Sequence, residues 1–145
     1  MTGSQRYLVD TSAWIETLRA SGDQAVRARV STLTADDRVV LCDQVRLELW
    51  NGASGAEQRR LLRNLEEHLA TVPTTPEVWA LARRSARSLR DRGVSVPAAD
   101  VLIAACARYH GLGLIHRDAH FDLIAAAMDK AGATGKAGAA MDDDA

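Results

Sequence analysis

The chain has 145 residues, 47% of them hydrophobic, and a formal net charge of -1. That length and apolar content fit one folded domain with its own core and exclude a disordered chain. No apolar run approaches the ~18 residues that a membrane span needs, and no basic-then-apolar leader is evident, so a cytoplasmic protein without membrane contact is expected.

The charge balance does not advertise nucleic-acid binding. Asp142, Asp143 and Asp144 crowd the tail, however, and without them the balance is -1 + 3 = +2. The only lysines are Lys130 and Lys136, so the positive charge is almost all arginine. Arginine suits bidentate phosphate contacts, although genome composition accounts for the bias equally well. Cys42 and Cys106 lie in apolar surroundings without a CxxC spacing, and read as reduced core thiols.

In chain order, Arg6 to Val9 reads as a short buried strand and Ser12 to Leu18 as a helix, capped by Thr11 or Ser12. No element is assigned from there to Val39-Val40-Leu41-Cys42, a second strand. Asp43 is placed to cap the next helix, which runs through Trp50 and ends at Asn51-Gly52. Leu61, Leu62, Leu65 and Leu69 carry helical spacing over 57–69. Val72 marks a third strand, stopped by Pro73 and Pro76. Trp79, Ala82, Ala86 and Leu89 share one side of a helix over 77–92, closed by Gly93.

Pro97 opens a further helix that stops before Gly111, a Pro-first, Gly-last frame. Gly113 to His116 is a fourth strand, and Phe121, Leu123 and Ile124 continue into a short turn or helix. The folded domain is therefore expected over 1–128. The Gly-, Ala- and Asp-rich stretch 129–145 reads as a disordered tail. Strands alternating with helices imply an α/β fold with a mainly parallel central sheet covered on both faces.

Four acidic residues stand where strands end or helices begin: Asp10, Glu48, Asp100 and Asp118. Singly, Asp10 is explained as a cap and Glu48 as a surface helix position. Asp100 is harder to dismiss. It lies in the first turn of a helix whose next five residues are Val101-Leu102-Ile103-Ala104-Ala105, so it is expected to face a cleft. Ligands of parallel sheets gather at the carboxyl ends of the strands. Four carboxylates gathered there repel one another unless a cation intervenes, and their hard oxygens suit Mg2+ or Mn2+. Asp122 is a fifth candidate beside Asp118.

The segments Asp10-Thr11-Ser12-Ala13-Trp14, Glu48-Leu49-Trp50-Asn51-Gly52, Pro97-Ala98-Ala99-Asp100-Val101-Leu102-Ile103-Ala104 and Asp118-Ala119-His120-Phe121 occur in this order. Together they resemble the PIN-domain family, and more narrowly its VapC-type toxins, over about residues 6 to 128. The resemblance implies a three-layer α/β/α domain and a Mg2+- or Mn2+-dependent endoribonuclease, the toxin of a type II toxin–antitoxin system. It implies that Asp10, Glu48, Asp100 and Asp118 are the metal-binding and catalytic acids, with the Ser12 hydroxyl supporting the first. Asp10 and Asp100 are expected to hold the principal ion. The last motif varies within the family, so the fourth acid is Asp118 or Asp122. An RNA substrate, a VapB-type antitoxin and a homodimer are the implied partners, and the apolar residues Leu61, Leu65 and Trp79 serve such contacts or the core.

Rival readings fare less well. Phospho-acceptor domains and haloacid-dehalogenase-like phosphatases rely on a lysine near the phosphate, and none precedes Lys130. No Gly-rich loop leads into a lysine, which excludes a P-loop enzyme. His116 and His120, four apart with no cysteine close by, make a poor zinc pair. A non-catalytic binding module of the same fold leaves four mutually repelling carboxylates unexplained. Arg83, Arg87 and Arg90 share a helix face and read either as solvated or as lining an RNA groove.

Overall fold

The structure is a computed structural model that describes residues 5–138. Four short strands, β1 (Tyr7–Val9), β2 (Val39–Cys42), β3 (Thr71–Val72) and β4 (Gly113–Ile115), form one sheet in the order β3-β2-β1-β4. Every pairing in it is parallel. Strand β2 is buried along its whole length, as are Leu8 and Val9 of β1. Such unbroken apolar runs are what a sheet covered on both faces requires.

Helices α1 (Thr11–Leu18) and α2 (Gln24–Ala35) join β1 to β2, and α3 (Asp43–Gly52) and α4 (Gly55–His68) join β2 to β3. Helices α5 (Pro76–Asp91) and α6 (Ala98–Tyr109) then carry the chain back across the sheet to β4, and α7 (His120–Gly138) follows. Parallel crossovers are right-handed. The reversal of direction after β3 therefore puts α5 and α6 on the face opposite α1 to α4. The packing agrees: α1 lies against α2 and α3, while α5, α6 and α7 pack on one another. The strand order reverses between β1 and β4, which is where open α/β sheets form their ligand crevice.

Local chemistry sets the helix ends. The Thr75 hydroxyl accepts from Val78 N at 3.3 Å and Pro76 stands in the first turn of α5. Gly93 and Gly111, with φ of 72° and 66°, close α5 and α6 in the left-handed conformation that glycine adopts without strain. Helix α6 is the spine of the domain. Its residues Val101 to Ala107 are all buried, and they pack in one core with Leu8, Val9, Val40, Leu41 and Ile115.

Several details differ from the sequence reading. Helix α2 was not anticipated, although Asp23 caps it through Val26 N at 3.0 Å and Val26, Val30 and Leu33 follow helical spacing. The cap of α1 is Asp10, not Thr11 or Ser12, because a carboxylate one residue earlier already accepts from Ser12 N. Asp43 does not cap α3. It lies inside the first turn, since Cys42 passes from strand to helix with no loop, and Cys42 makes no side-chain cap bond. Of the short turn or helix expected after Asp118, the structure has the helix, α7, and a longer one that continues to Gly138. It thus runs past the expected domain limit at 128. Residues 139–145 of the expected tail lie outside the described residues. Cys42 and Cys106 are both buried and unbridged, as core thiols should be. Trp14 is buried, whereas Trp79 is 48% exposed and so is no core residue.

Candidate metal centre

The parallel strands deliver three of the acids to one edge. Asp10 follows β1 directly, and its amide donates to Ile115 O at 2.8 Å, locking the ends of β1 and β4 together. Asp10 is one of only two buried polar residues among those described, 4% exposed. Its Oδ2 accepts from Ser12 N at 3.0 Å and from Ser12 Oγ at 2.6 Å. Ser12 Oγ accepts in turn from Arg117 N at 2.9 Å. The serine thus spans the switch point and fixes the carboxylate of β1 against the loop that follows β4.

Asp100 enters from the first turn of α6, where the helix N-terminus favours negative charge. Its side chain is 15% exposed, and its Oδ2 lies 3.2 Å from His120 Nδ1. Burial holds the Asp100 carboxyl above its ordinary range. The His120 hydrogen bond opposes that rise, and the negative charges of Asp10 and Asp118 add to it. Those charges show that the three carboxylates share one field. Asp118 Oδ1 accepts from His120 N at 3.0 Å and lies 3.1 Å from His120 Nδ1. The imidazole therefore stands between Asp100 and Asp118, and ligand atoms of all three residues fall within 4.8 Å of one another.

Glu48 comes from the face of α3 turned to the same edge. Thr11 Oγ1 donates to its Oε1 at 2.9 Å, and Gln44 Nε2, one turn earlier on α3, donates to its Oε2 at 3.1 Å. The first turn of α1 thus links Asp10 and Glu48 through adjacent residues. Asp122 points elsewhere: its carboxylate is 79% exposed and lies 3.7 Å from His116 Nε2. The two histidines consequently serve different acids and do not form a pair.

The sequence alone does not single out Thr11, Gln44, Arg117 or Asp23 for the site, and gives His120 no role beyond the last family motif and a poor zinc pair. Arg117 Nη1 bonds Asp23 Oδ2 at 2.6 Å, and Asp23 also caps α2. The cation nearest the acids by sequence is thereby turned away from them. Among the described residues, no lysine or arginine pairs with Asp10, Glu48, Asp100 or Asp118; His120 is the one basic side chain that contacts any of them. A hard-oxygen donor set with an excess of negative charge fits a divalent ion.

A parallel sheet in the order β3-β2-β1-β4 with carboxylates converging beyond β1 and β4 defines a class, and the chain belongs to it: the PIN domain family, whose model matches residues 7–127. Among named relatives it is similar to Ribonuclease VapC11 of Mycobacterium tuberculosis. The two are 34% identical over 122 residues, 81% of this chain and 90% of that protein. It is 35% identical to Ribonuclease VapC21 of the same organism over 124 residues, 83% of this chain and 87% of that one. In fold it resembles VapBC-1 from nontypeable Haemophilus influenzae, with a TM-score of 0.69 and 22% identity, covering 83% of this chain and 92% of that chain.

Proposed function

We propose that this protein is a metal-dependent endoribonuclease, the toxin of a type II toxin–antitoxin pair. The observation that carries the reading is the cluster of Asp100, Asp118 and His120 beside the buried Asp10 at the β1–β4 switch point, with no lysine or arginine paired to these acids among the described residues. The relatives named as VapC ribonucleases support it.

Asp10, Asp100 and Asp118 would hold a divalent ion, Mg2+ or Mn2+, with Glu48 completing the set directly or through water. Such an ion polarises a phosphoryl oxygen and lowers the pKa of a coordinated water. The protein supplies preorganisation. Ser12 fixes the rotamer of Asp10. Thr11 and Gln44 hold both oxygens of Glu48. His120 keeps Asp100 and Asp118 together and, when protonated, offsets part of their repulsion.

Purified protein should cleave RNA with Mg2+ or Mn2+ and stop when EDTA is added. Asp100→Asn should lower cleavage by roughly 100-fold or more, since even outer-shell changes at metal sites cost about 10–100-fold. Asp118→Asn should be similarly impaired while Asp122→Asn stays near wild type. Equal cleavage by Asp100→Asn and wild type would sink the assignment. The cognate antitoxin, a VapB-type protein, is the expected partner, and the protein is expected to act in the cytoplasm as a homodimer. Strong expression of this chain should arrest growth, and the neighbouring gene's product should relieve the arrest.

A further inference from the structure

Helix α5 carries a charged face that the acidic centre does not use. Its buried side is Val78, Ala82, Ser85 and Leu89. On the opposite side, Arg83, Arg87 and Arg90 fall within roughly 60° of arc at ~100° per residue. All three are exposed, and none has an ion pair or hydrogen bond among the described residues. The two acids of the helix, Glu77 and Asp91, lie outside this arc. Arg90 stands in the last turn, where a cation complements the helix dipole. That explanation does not reach Arg83 or Arg87.

The packing of α5 on α6 sets where this face lies. His110 Nε2 contacts Pro73 O at 2.8 Å. Trp79 and Leu102 line one surface depression together with Asp43, Gln44, Leu47 and Thr74. The start of α5 therefore lies beside the end of α6, and the two helices run antiparallel with residue 79 level with 102. Continuing that register brings Arg83 level with Ala98, in the turn of α6 that holds Asp100. Arg87 and Arg90 extend past the start of α6, reaching about 10 Å beyond Arg83 at 1.5 Å per residue. Along the helix axis the row of arginines thus begins level with the first turn of α6, which carries Asp100, and continues past it.

We propose that this face binds the phosphates of a single-stranded RNA whose scissile bond lies at the carboxylates. The proposal rests on the ribonuclease reading and adds how the substrate is held. A polyanion needs such a strip here, because the carboxylates themselves repel it and guanidinium forks match phosphate oxygens.

The test is fluorescence anisotropy of a labelled single-stranded RNA with the full chain in EDTA, across a salt series. The triple variant R83Q/R87Q/R90Q is compared with R59Q/R60Q/R63Q on α4, an equal loss of charge elsewhere. The α5 variant should bind roughly tenfold more weakly, and its salt slope should fall by about 2, at ~0.7 per phosphate contact on single strands. The α4 variant should stay within about twofold. With metal added, the α5 variant should raise KM and leave kcat at saturating RNA unchanged. An R83K/R87K/R90K variant should recover most of the affinity. Undiminished RNA binding by the α5 variant, or an equal loss in both variants, overturns the proposal while leaving the ribonuclease reading intact. Arginine-dependent binding combined with equal cleavage by wild type and Asp100→Asn would remove the carboxylate chemistry and keep the strip.

Discussion

Ser12 ties the candidate metal centre together. It grips Asp10 Oδ2 with its amide and hydroxyl and takes a hydrogen bond from Arg117 N, so one hydroxyl coordinates both sides of the switch point. Ser12→Ala should leave the fold intact and lower metal affinity and cleavage about 10–100-fold, the usual effect of losing an orienting partner; calorimetric Mn2+ titration with a cleavage assay checks this. Asp100 predicts a pH effect. Its carboxyl is held above the ordinary range, chiefly by burial, so in metal-free protein its charged form costs stability. Below the unfolded pKa both states are protonated and the cost vanishes; it grows as pH rises through the folded pKa. In EDTA, Asp100→Asn should therefore melt above wild type at neutral pH, and the gap should close as pH falls through the carboxylate range. A constant gap across that range would contradict the assigned cause.

Helix α3 shows how an element is aimed. Leaving β2 without a loop, it has no slack at its start, and its outer side is clamped by α4. Glu66 of α4 accepts from Trp50 Nε1 at 2.5 Å and from Arg46 Nε at 2.7 Å, with a second, closer contact from Arg46 Nη2. Glu48 projects from the helix so held. Glu66→Ala strands a half-buried indole N–H and a guanidinium. It should cost about 1–3 kcal/mol in a urea melt and loosen Glu48 enough to lower cleavage as well. Most elements were legible in sequence because their framing is local: Pro97 and Gly111 bracket α6, and Pro76 and Gly93 bracket α5. Helix α2 was passed over although its spacing is helical. Its residues Val26, Val30 and Leu33 are sparse among arginines, threonines and other polar residues, so the apolar stripe is too thin to announce itself.

For the whole molecule, the gathered carboxylates repel one another, and a bound divalent cation would offset that repulsion. Mn2+ or Mg2+ at about 100 times its dissociation constant should stabilise the protein by about 2.7 kcal/mol, read as a rise in Tm. Asp100→Asn should lose most of that rise. No helix among the described residues is long and apolar enough to cross a membrane. Of the exposed apolar side chains, Leu61 is 39%, Leu47 64% and Trp79 48% accessible. Leu61 and Trp79 were read as serving partner contacts or the core, and their exposure removes the second option.

The four strands, their parallel sheet and every helix but α2 follow from sequence alone, and the four candidate acids are named by it. They depend on apolar runs, helix frames and short motifs, all of which act over a few residues. Which acids meet was decided by tertiary structure. Asp118 and Asp122 are four apart and indistinguishable by pattern, yet the β4–α7 turn directs one to Asp100 and the other to His116. The parts played by Thr11 and His120 belong to the same class. A hydrogen bond between residues 37 or 20 positions apart leaves no local mark, because it depends on where the sheet and helices set two backbones and not on the residues around either one.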